Sequence, residues 1–216
     1  MADLTVVYFT SNRERPIFEK RIRDALVQTI GDIPLISVSQ QSLSFGTNIC
    51  VGPHEATTHN ALRQIQIGAK AATSRFVVLA ESDFLYPRSY VTFTPTREDT
   101  VYCAKPVYVL FAQRGKAKIF ARKMGGADSA VIAGREALVR AIETVLTPHG
   151  EWGKNDVVFL DVLRQMRRER FTLDRPAVTF KTDENMHRRT PCRLSSTSRI
   201  LSGWGDSAAL IQEYVR

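Results

Sequence analysis

The 216-residue sequence predicts an α/β fold, a single domain built on a mixed central sheet. Three observations lead to this prediction. The first hundred residues alternate between short β-branched runs and longer amphipathic runs, which is typical of a doubly wound sheet. Residues 76–80 (Phe-Val-Val-Leu-Ala) are uniformly apolar, as expected of a strand covered on both faces. The second half contains several short strand patterns that favour antiparallel pairing.

The elements of the first half follow from local patterns. Leu4 to Phe9 is an apolar, β-branched run that predicts the first strand. Pro16 suits the first turn of a helix, and apolar residues recur at helical spacing from there to about Ile30. The remaining predictions are a strand over 34–38, a helix over 54–72 and a strand over 76–80.

The second half predicts a different arrangement. We expect short strands over 101–103, 108–112, 118–121, 129–133 and 177–180, helices over 135–145 and 155–168, and a short terminal helix after Trp204. No linker-like or repetitive segment separates this half from the first. We therefore predict one domain over residues 1–216, with 1–100 binding a nucleotide and 101–216 facing an acceptor.

The net charge of +8 is carried by the second half of the sequence. Residues 1–100 contain 10 basic and 10 acidic residues, whereas residues 101–216 contain 20 basic and 12 acidic residues. This asymmetry favours a polyanionic partner, either nucleic acid or an anionic membrane surface. A solvated basic face without a partner is the structural alternative. The charge by itself does not decide between them.

Composition also bears on the compartment. The longest apolar runs are too short to span a bilayer, and the N-terminal apolar run lacks a preceding basic region, so it predicts a strand and not a signal peptide. The three cysteines have neither the spacing of a zinc site nor the density of a disulfide framework. These features predict a cytoplasmic protein.

Two carboxylates directly follow the uniformly apolar strand. Glu81 and Asp83 come where ligands bind in open α/β sheets, at the carboxyl ends of the strands. Residues two apart point the same way in an extended backbone, so we expect both side chains to face one ligand. Carboxylates and phosphate oxygens together suit Mg²⁺ or Mn²⁺, which stabilises a diphosphate leaving group. An acidic loop that caps the next helix is the alternative.

The segment from Leu79 to Tyr86 (Leu-Ala-Glu-Ser-Asp-Phe-Leu-Tyr) resembles the D-x-D segment of GT-A-type glycosyltransferases, especially small family-2-like enzymes of bacteria and phages. Further segments resemble this family in the order it shows: the first strand and turn at 8–13, small residues at 125–127, a helix start at 133–138 and an acidic turn at 153–156. The resemblance spans about residues 4–165. The metal motif departs from the family pattern because it opens with Glu in place of Asp.

The resemblance implies a GT-A fold and a transferase that uses a nucleotide-sugar donor and a divalent metal. The implied donor-binding residues are Thr10, Ser11, Asn12, Arg13, Glu81 and Arg188, and the implied metal ligands are Asp83, Glu81 and His187. A carboxylate within reach of the acceptor hydroxyl would serve as general base. Asp156 is the first candidate for that base and Asp128 the second, although an enzyme that retains configuration would need neither.

The polar, glycine-containing segment 41–52 is long for a strand-to-helix connection, and loops at this face usually carry function. We predict that it contacts the nucleoside through Asn48, with Arg63 of the following helix as a further contact. The sequence contains neither a G-x-G-x-x-G fingerprint nor a Walker-type motif. This argues against a dinucleotide-dependent oxidoreductase and a P-loop kinase.

The acceptor follows from charge and resemblance together. Some phage enzymes of the resembled type glycosylate hydroxymethylated pyrimidines in DNA, and the basic second half fits that acceptor. A lipid-linked or polysaccharide acceptor is the alternative. Two other classes stay open: a nucleotidyltransferase on a similar sheet, although residues 10–13 lack the glycine-rich loop of that class, and a non-catalytic nucleic-acid-binding module, which the carboxylates oppose.

Overall fold

A computed structural model describes residues 3–124, 130–153, 157–185 and 193–216. The strands are β1 (Leu4–Thr10), β2 (Leu35–Ser39), β3 (Thr47–Cys50), β4 (Phe76–Glu81), β5 (Phe84–Leu85), β6 (Thr100–Phe111), β7 (Phe120–Lys123), β8 (Val131–Gly134), β9 (Arg167–Lys181), β10 (Leu194–Ser198), β11 (Ile200–Leu201) and β12 (Gly205–Asp206). The helices are α1 (Pro16–Ile30), α2 (Thr58–Ala71), α3 (Arg88–Thr92), α4 (Arg135–Leu146), α5 (Phe159–Arg164) and α6 (Ser207–Tyr214). In these described ranges, no helix combines the length and apolarity needed to cross a membrane.

The main sheet joins both halves of the chain. Its strand order is β10-β7-β6-β8-β4-β1-β2-β3, and β9 pairs with β6 and β5. Strands β3, β2, β1 and β4 are mutually parallel, whereas β8 lies antiparallel between β4 and β6. Strands β7 and β10 continue the antiparallel part. The sheet is therefore mixed, as predicted.

The first half follows its sequence patterns closely. Helix α1 has the predicted bounds, and all five apolar residues of β4 are buried, at 3% exposure or less. Helix α2 begins at Thr58, four residues later than predicted, because Thr57 is its N-cap and accepts a hydrogen bond from the Asn60 N–H (3.2 Å). At Gly68 the helix lies so close to β1 that a Cβ would approach the Val7 side chain to 2.4 Å.

Several predictions for the second half are wrong. The separate strands at 101–103 and 108–112 are one strand, β6, with a register shift near its cis Lys105–Pro106 bond. The helix predicted over 155–168 is the short α5, because residues from Arg167 onward form β9. The expected antiparallel pairing is present between β6 and β7, whereas β9, for which no direction was predicted, pairs with β6 in parallel. In the first half, the predicted loop at 41–52 contains β3.

The two faces of the sheet are covered by different helices. Alternate strand residues point to opposite faces, and the buried clusters follow this alternation. Val78 and Ala80 pack with α1 on one face. Val77 and Leu79 pack with α2, α4 and α5 on the other face. The face under α2 carries the candidate site.

Candidate active site

A cavity of about 620 Å³ opens at the carboxyl ends of β1 and β4. Six segments line it: the turn after β1, the residue after β2, the first part of α2 with the segment that enters it, the end of β4 with the turn after it, the chain that enters α5, and the chain after β9. The lining residues include Thr10, Ser11, Arg13, Glu14, Gln40, Glu55, Thr57, Thr58, Leu62, Ile65, Leu79, Glu81, Asp83, Val157, Phe159, Leu160, Glu184 and Asn185. This is the edge at which open α/β sheets bind ligands.

Helix α2 forms one wall of the cavity. Thr57 and Thr58 at its N-terminus line the cavity, and the partial positive charge of a helix N-terminus favours an anionic ligand there. Further along the helix, Leu62 and Ile65 form an apolar wall with Phe159 of α5. The cavity thus offers both an apolar surface and an electropositive helix end.

The first turns of α2 are tied to the loop before residue 154. The Thr57 hydroxyl donates to the Gly153 carbonyl (2.9 Å), and the Gly153 N–H donates to Asn60 Oδ1 (2.9 Å). Arg63, predicted to contact the nucleoside, donates through Nε to the Glu151 carbonyl (2.9 Å) and lies outside the cavity lining. The structure therefore gives Arg63 a part in holding this loop.

The turn after β4 corrects the expected backbone around the two carboxylates. Glu81 is the last residue of β4, but Ser82 and Asp83 form a turn, so the backbone is not extended through this segment. The Glu81 N–H donates to the Tyr86 hydroxyl (3.0 Å), which fixes the end of the strand. Both carboxylates still line the same cavity.

The carboxylate of Asp83 is only partly satisfied by the described residues. Its Oδ2 accepts a hydrogen bond from Asn185 Nδ2 (3.1 Å), whereas its Oδ1 is buried and has no hydrogen-bond partner among the described residues. Burial raises the pKa of Asp83, and the positive charges of Lys123 and Lys181 oppose that rise. An acceptor oxygen held without a donor fits a bound cation or a ligand hydrogen-bond donor.

Glu14 is a second carboxylate at this point, and no sequence pattern indicated it. It accepts hydrogen bonds from the Thr182 hydroxyl (2.8 and 2.9 Å) and from Asn185 Nδ2 (2.7 Å). The Asn185 amide therefore bridges Glu14 and Asp83. Burial, with the nearby charge of Asp83 among the lesser causes, raises the pKa of Glu14 to about 7. We call Asp83, Glu14 and Asn185 the carboxylate corner.

The turn after β1 lies where the sequence predicted it. Thr10, Ser11 and Arg13 line the cavity, although the Thr10 hydroxyl donates to the buried Glu19 (2.8 Å). Asn12 has a left-handed backbone (φ 52°), and its Oδ1 accepts the N–H of Gln41 (2.8 Å). Asn12 thus shapes the turn and stays outside the cavity lining.

Gln40, which follows β2, is a further residue that the sequence analysis missed. Its side chain is 8% exposed, and its Oε1 accepts a hydrogen bond from the His54 backbone N–H (2.9 Å). This bond fixes the orientation of the amide, because a backbone N–H can only donate. The side chain of Gln40 lines the cavity, and its Nε2 is a buried donor with no partner among the described residues.

Asn48, the other predicted nucleoside contact, has an internal role. Its Nδ2 donates to the hydroxyls of Ser37 (2.9 Å) and Ser39 (2.8 Å), and its Oδ1 accepts the Leu43 N–H (3.0 Å). These bonds hold the connection between β2 and β3. Asn48 lies outside the cavity lining, whereas Gln40, directly after β2, lines the cavity.

Four predicted residues lie outside the described ranges: the candidate bases Asp128 and Asp156, the metal ligand His187 and the donor contact Arg188. The described residues contain no group of three or more His, Cys, Asp or Glu side chains placed to hold a metal. The carboxylates of Asp83 and Glu81 nevertheless fit a hard divalent cation, which takes much of its coordination from phosphate oxygens and water.

Comparison with known proteins supports the fold. No family model and no curated protein sequence matches the chain. Among solved structures, S. aureus TarS 1–349 matches with a TM-score of 0.50 and 10% identity over 84% of this chain and 61% of that one. TarS 1–349 in complex with UDP matches with a TM-score of 0.52 and 14% identity over 83% and 60%. A bifunctional IspDF from Campylobacter jejuni has a TM-score of 0.44.

The α/β fold with its mixed central sheet matches the GT-A glycosyltransferases, as predicted. The chain spans about three fifths of the length of the matched TarS structures. At this low identity the likeness concerns the fold. The cavity and its side chains therefore carry the functional argument.

Proposed function

We propose that this chain is a glycosyltransferase that moves a sugar from a nucleotide-sugar donor to a hydroxyl acceptor, with a divalent metal at the carboxylate corner. One observation carries the proposal. Two residues that line a single cavity at the carboxyl edge of the sheet each have a buried polar atom without a partner among the described residues: the acceptor Asp83 Oδ1 and the donor Gln40 Nε2. A ligand that satisfies both atoms brings a cation or a hydrogen-bond donor to Asp83 and a hydrogen-bond acceptor, such as a carbonyl group, to Gln40.

A nucleoside diphosphate meets this requirement. Gln40 follows β2 and Asp83 follows β4, and β1 lies between these strands. With a strand spacing of about 4.8 Å, the two positions are on the order of 10 Å apart. Gln40 Nε2 would donate to a carbonyl of the base, and the diphosphate would lie between the N-terminus of α2 and Asp83.

The carboxylates of Asp83 and Glu81 would hold the metal, and His187 stays a predicted third ligand. Bound there, a divalent cation would offset the charge that develops on the departing diphosphate. Asn185 orients Asp83 through its amide, and Glu14 in turn accepts from the same amide. Such outer contacts set how well a carboxylate ligand is positioned.

The protein's remaining task is to move a proton and to limit water. As the bond from the sugar to the diphosphate breaks and the bond to the acceptor oxygen forms, the acceptor hydroxyl proton passes to a base. Asp156 and Asp128 stay the predicted bases of an inverting reaction. The apolar wall of Leu62, Ile65 and Phe159 restricts water, which would otherwise compete as acceptor.

The test uses thermal unfolding with nucleoside diphosphates, with and without Mn²⁺, on the wild type and Asp83→Asn. At a free concentration of about one hundred times its Kd, a ligand adds about 2.7 kcal/mol to the unfolding free energy. This raises the Tm of a chain of this size by about 5 to 10 °C. We expect that rise only with metal, and its loss in Asp83→Asn. The exposed Asp24→Asn variant is the matched control. Metal-independent stabilisation, or stabilisation retained in Asp83→Asn, contradicts the proposal.

The leaving group separates the transferase from the nucleotidyltransferase alternative. A glycosyltransferase given a nucleotide-sugar releases a nucleoside diphosphate, and it slowly does so with water as acceptor. A nucleotidyltransferase given a nucleoside triphosphate releases pyrophosphate. Detection of pyrophosphate without diphosphate would move the chain to the second class, and release of neither would leave a binding module.

A further inference from the structure

The face of the sheet that holds the cavity also carries a cluster of exposed positive charges. Arg168 and Arg170 are two residues apart in β9, so their side chains point to the same face, and both are exposed. In register they pair with Val101 and Cys103 of β6. Lys105, which is half-buried and is the next residue of β6 with the same orientation, extends the row before the register shift. We call Lys105, Arg168 and Arg170 the cationic row.

The pairing partners identify the face. Val101 and Cys103 belong to the buried cluster beneath α2, α4 and α5. Leu79 of β4 belongs to the same cluster and also lines the cavity. Residues in register on neighbouring strands share a face of the sheet. The cationic row and the cavity are therefore on one side of the sheet.

The charges of the row act on one another. Burial lowers the pKa of Lys105, and the positive charges of Arg170, Arg122 and Arg168 lower it further. Strand pairing holds these like charges together in spite of their repulsion. Arg167, which points to the opposite face, instead forms an ion pair with Glu169 (2.9 Å). Concentrated charge of one sign indicates an oppositely charged partner.

The chemistry of the surface favours nucleic acid over a membrane. Amphipathic surfaces that lie in a membrane interface combine cations with exposed apolar side chains that enter the bilayer. The exposed large hydrophobic residues of the described ranges are Ile17, Val27, Met124, Val158, Leu194 and Ile200. None of them lies on β6 or β9. A purely cationic row fits the phosphodiester backbone of a duplex.

Strand β9 connects the cationic row with the carboxylate corner. The Phe180 N–H donates to the Asp83 carbonyl (2.8 Å), so this end of β9 lies beside the carboxylate corner. Arg170 is earlier in the same strand, where it pairs with Cys103 of β6, whereas Phe180 pairs with Leu110. A partner that contacts both the row and the corner must therefore extend along β9. A polymer can contact the row while one of its units enters the cavity.

We propose that the acceptor is carried by a nucleic acid duplex whose phosphodiester backbone binds across Lys105, Arg168 and Arg170. This inference rests on the proposed function, because it names the acceptor class of the same site. The row supplies affinity and position, and the hydroxyl that receives the sugar is on a unit presented at the cavity.

The experiment measures binding of a fluorescently labelled DNA duplex of about 20 base pairs by anisotropy between 50 and 200 mM salt. Each phosphate contact contributes about 0.9 to the slope of log K against log salt. For Arg168→Gln/Arg170→Gln we expect the slope to fall by about 1.8 and the affinity at low salt to fall at least tenfold. The charge-retaining variant Arg168→Lys/Arg170→Lys should keep most of the affinity.

Lys20→Gln/Arg140→Gln is the matched control, because it removes the same charge from exposed positions on α1 and α4. An equal loss in this control would attribute binding to net charge and overturn the inference. Absence of duplex binding, or binding of phosphatidylglycerol vesicles in preference to DNA, would also overturn it.

A second measurement separates this inference from the proposed function. Diphosphate stabilisation in Mn²⁺ is measured on the same variants and should not change. If diphosphate stabilises the chain and DNA does not bind, only the duplex inference fails. If DNA binds and diphosphate does not stabilise the chain, the proposed transferase and the acceptor role of the duplex both fail.

Discussion

The two ends of the cavity differ in the chemistry that they leave unsatisfied. At the carboxylate corner, Asp83 and Glu14 share one amide, and Asp83 Oδ1 lacks a donor among the described residues. At the other end, Gln40 presents a neutral N–H donor whose orientation is fixed by the His54 backbone. Under the proposed function, the first end would hold a cation and the second would donate to a carbonyl group of the ligand.

The carboxylate corner makes a contribution to the unfolding free energy that depends on pH. The pKa of Glu14 is raised from 4.5 to about 7, so the folded chain binds a proton more tightly than the unfolded chain. The stability contributed by that proton is complete below about pH 4.5 and is lost as the pH rises through about 7. One pKa unit corresponds to about 1.4 kcal/mol, so the contribution is about 3 kcal/mol.

The largest expected effect is the change in the pH dependence of the unfolding free energy that Glu14→Gln causes in the absence of metal. The neutral amide removes the buried charge of Glu14 and, as a smaller contribution, its repulsion with Asp83. We therefore expect the variant to lose less unfolding free energy than the wild type between pH 5 and pH 8, by up to about 3 kcal/mol. Urea unfolding at the two pH values with a chelator measures this. The exposed Glu143→Gln is the control. Equal pH dependence of wild type and Glu14→Gln would mean that Glu14 is not coupled to the corner.

The second prediction concerns the bridge within the corner. Asn185→Leu leaves Glu14 and Asp83 without their shared donor, so the Asp83 carboxylate should be less well oriented. We expect Mn²⁺-dependent diphosphate affinity to fall about 10- to 100-fold, the range found for residues that orient metal ligands. Calorimetric titration with UDP measures the affinity. Thr182→Val removes a hydrogen-bond donor of Glu14 and none of Asp83, so it should lower the diphosphate affinity less than Asn185→Leu. A larger loss of affinity in Thr182→Val would show that the contacts of Glu14 matter more than the orientation of Asp83.

Sequence patterns predicted the scaffold of the site better than its contents. The bounds of α1 and β4 follow from Pro16 and from a uniformly apolar run, which are local signals. The Glu14–Asn185 contact joins residues 171 apart in the chain, and no local pattern indicates such a contact. A signal for β9 was present, because buried Phe171 and Leu173 alternate with exposed residues, but the neighbouring arginines resembled the end of a helix.

The same reasoning separates Asn48 from Gln40, the residue that we propose as a nucleoside contact. Asn48 is in a polar segment that sequence analysis treats as a functional loop, yet its amide is consumed by the hydroxyls of Ser37 and Ser39. Gln40 is one residue beyond a strand and has no motif to mark it. Whether a polar side chain is satisfied internally is a property of the tertiary structure, and only the unsatisfied ones are available to a ligand.

The smallest expected effect is at the Gln40 end. A neutral hydrogen bond contributes about 0.5 to 1.5 kcal/mol, so Gln40→Ala should weaken binding of UDP or GDP, whose bases carry a carbonyl, by about 3- to 10-fold. ADP, whose base has no carbonyl, should bind the two proteins equally well. The neighbouring exposed Gln41→Ala is the control, and calorimetric titration in Mn²⁺ gives all three affinities. An equal loss of affinity for ADP would show that Gln40 supports the cavity wall and does not donate to the base. The two ends of the cavity would then differ only in the charge of the carboxylate corner.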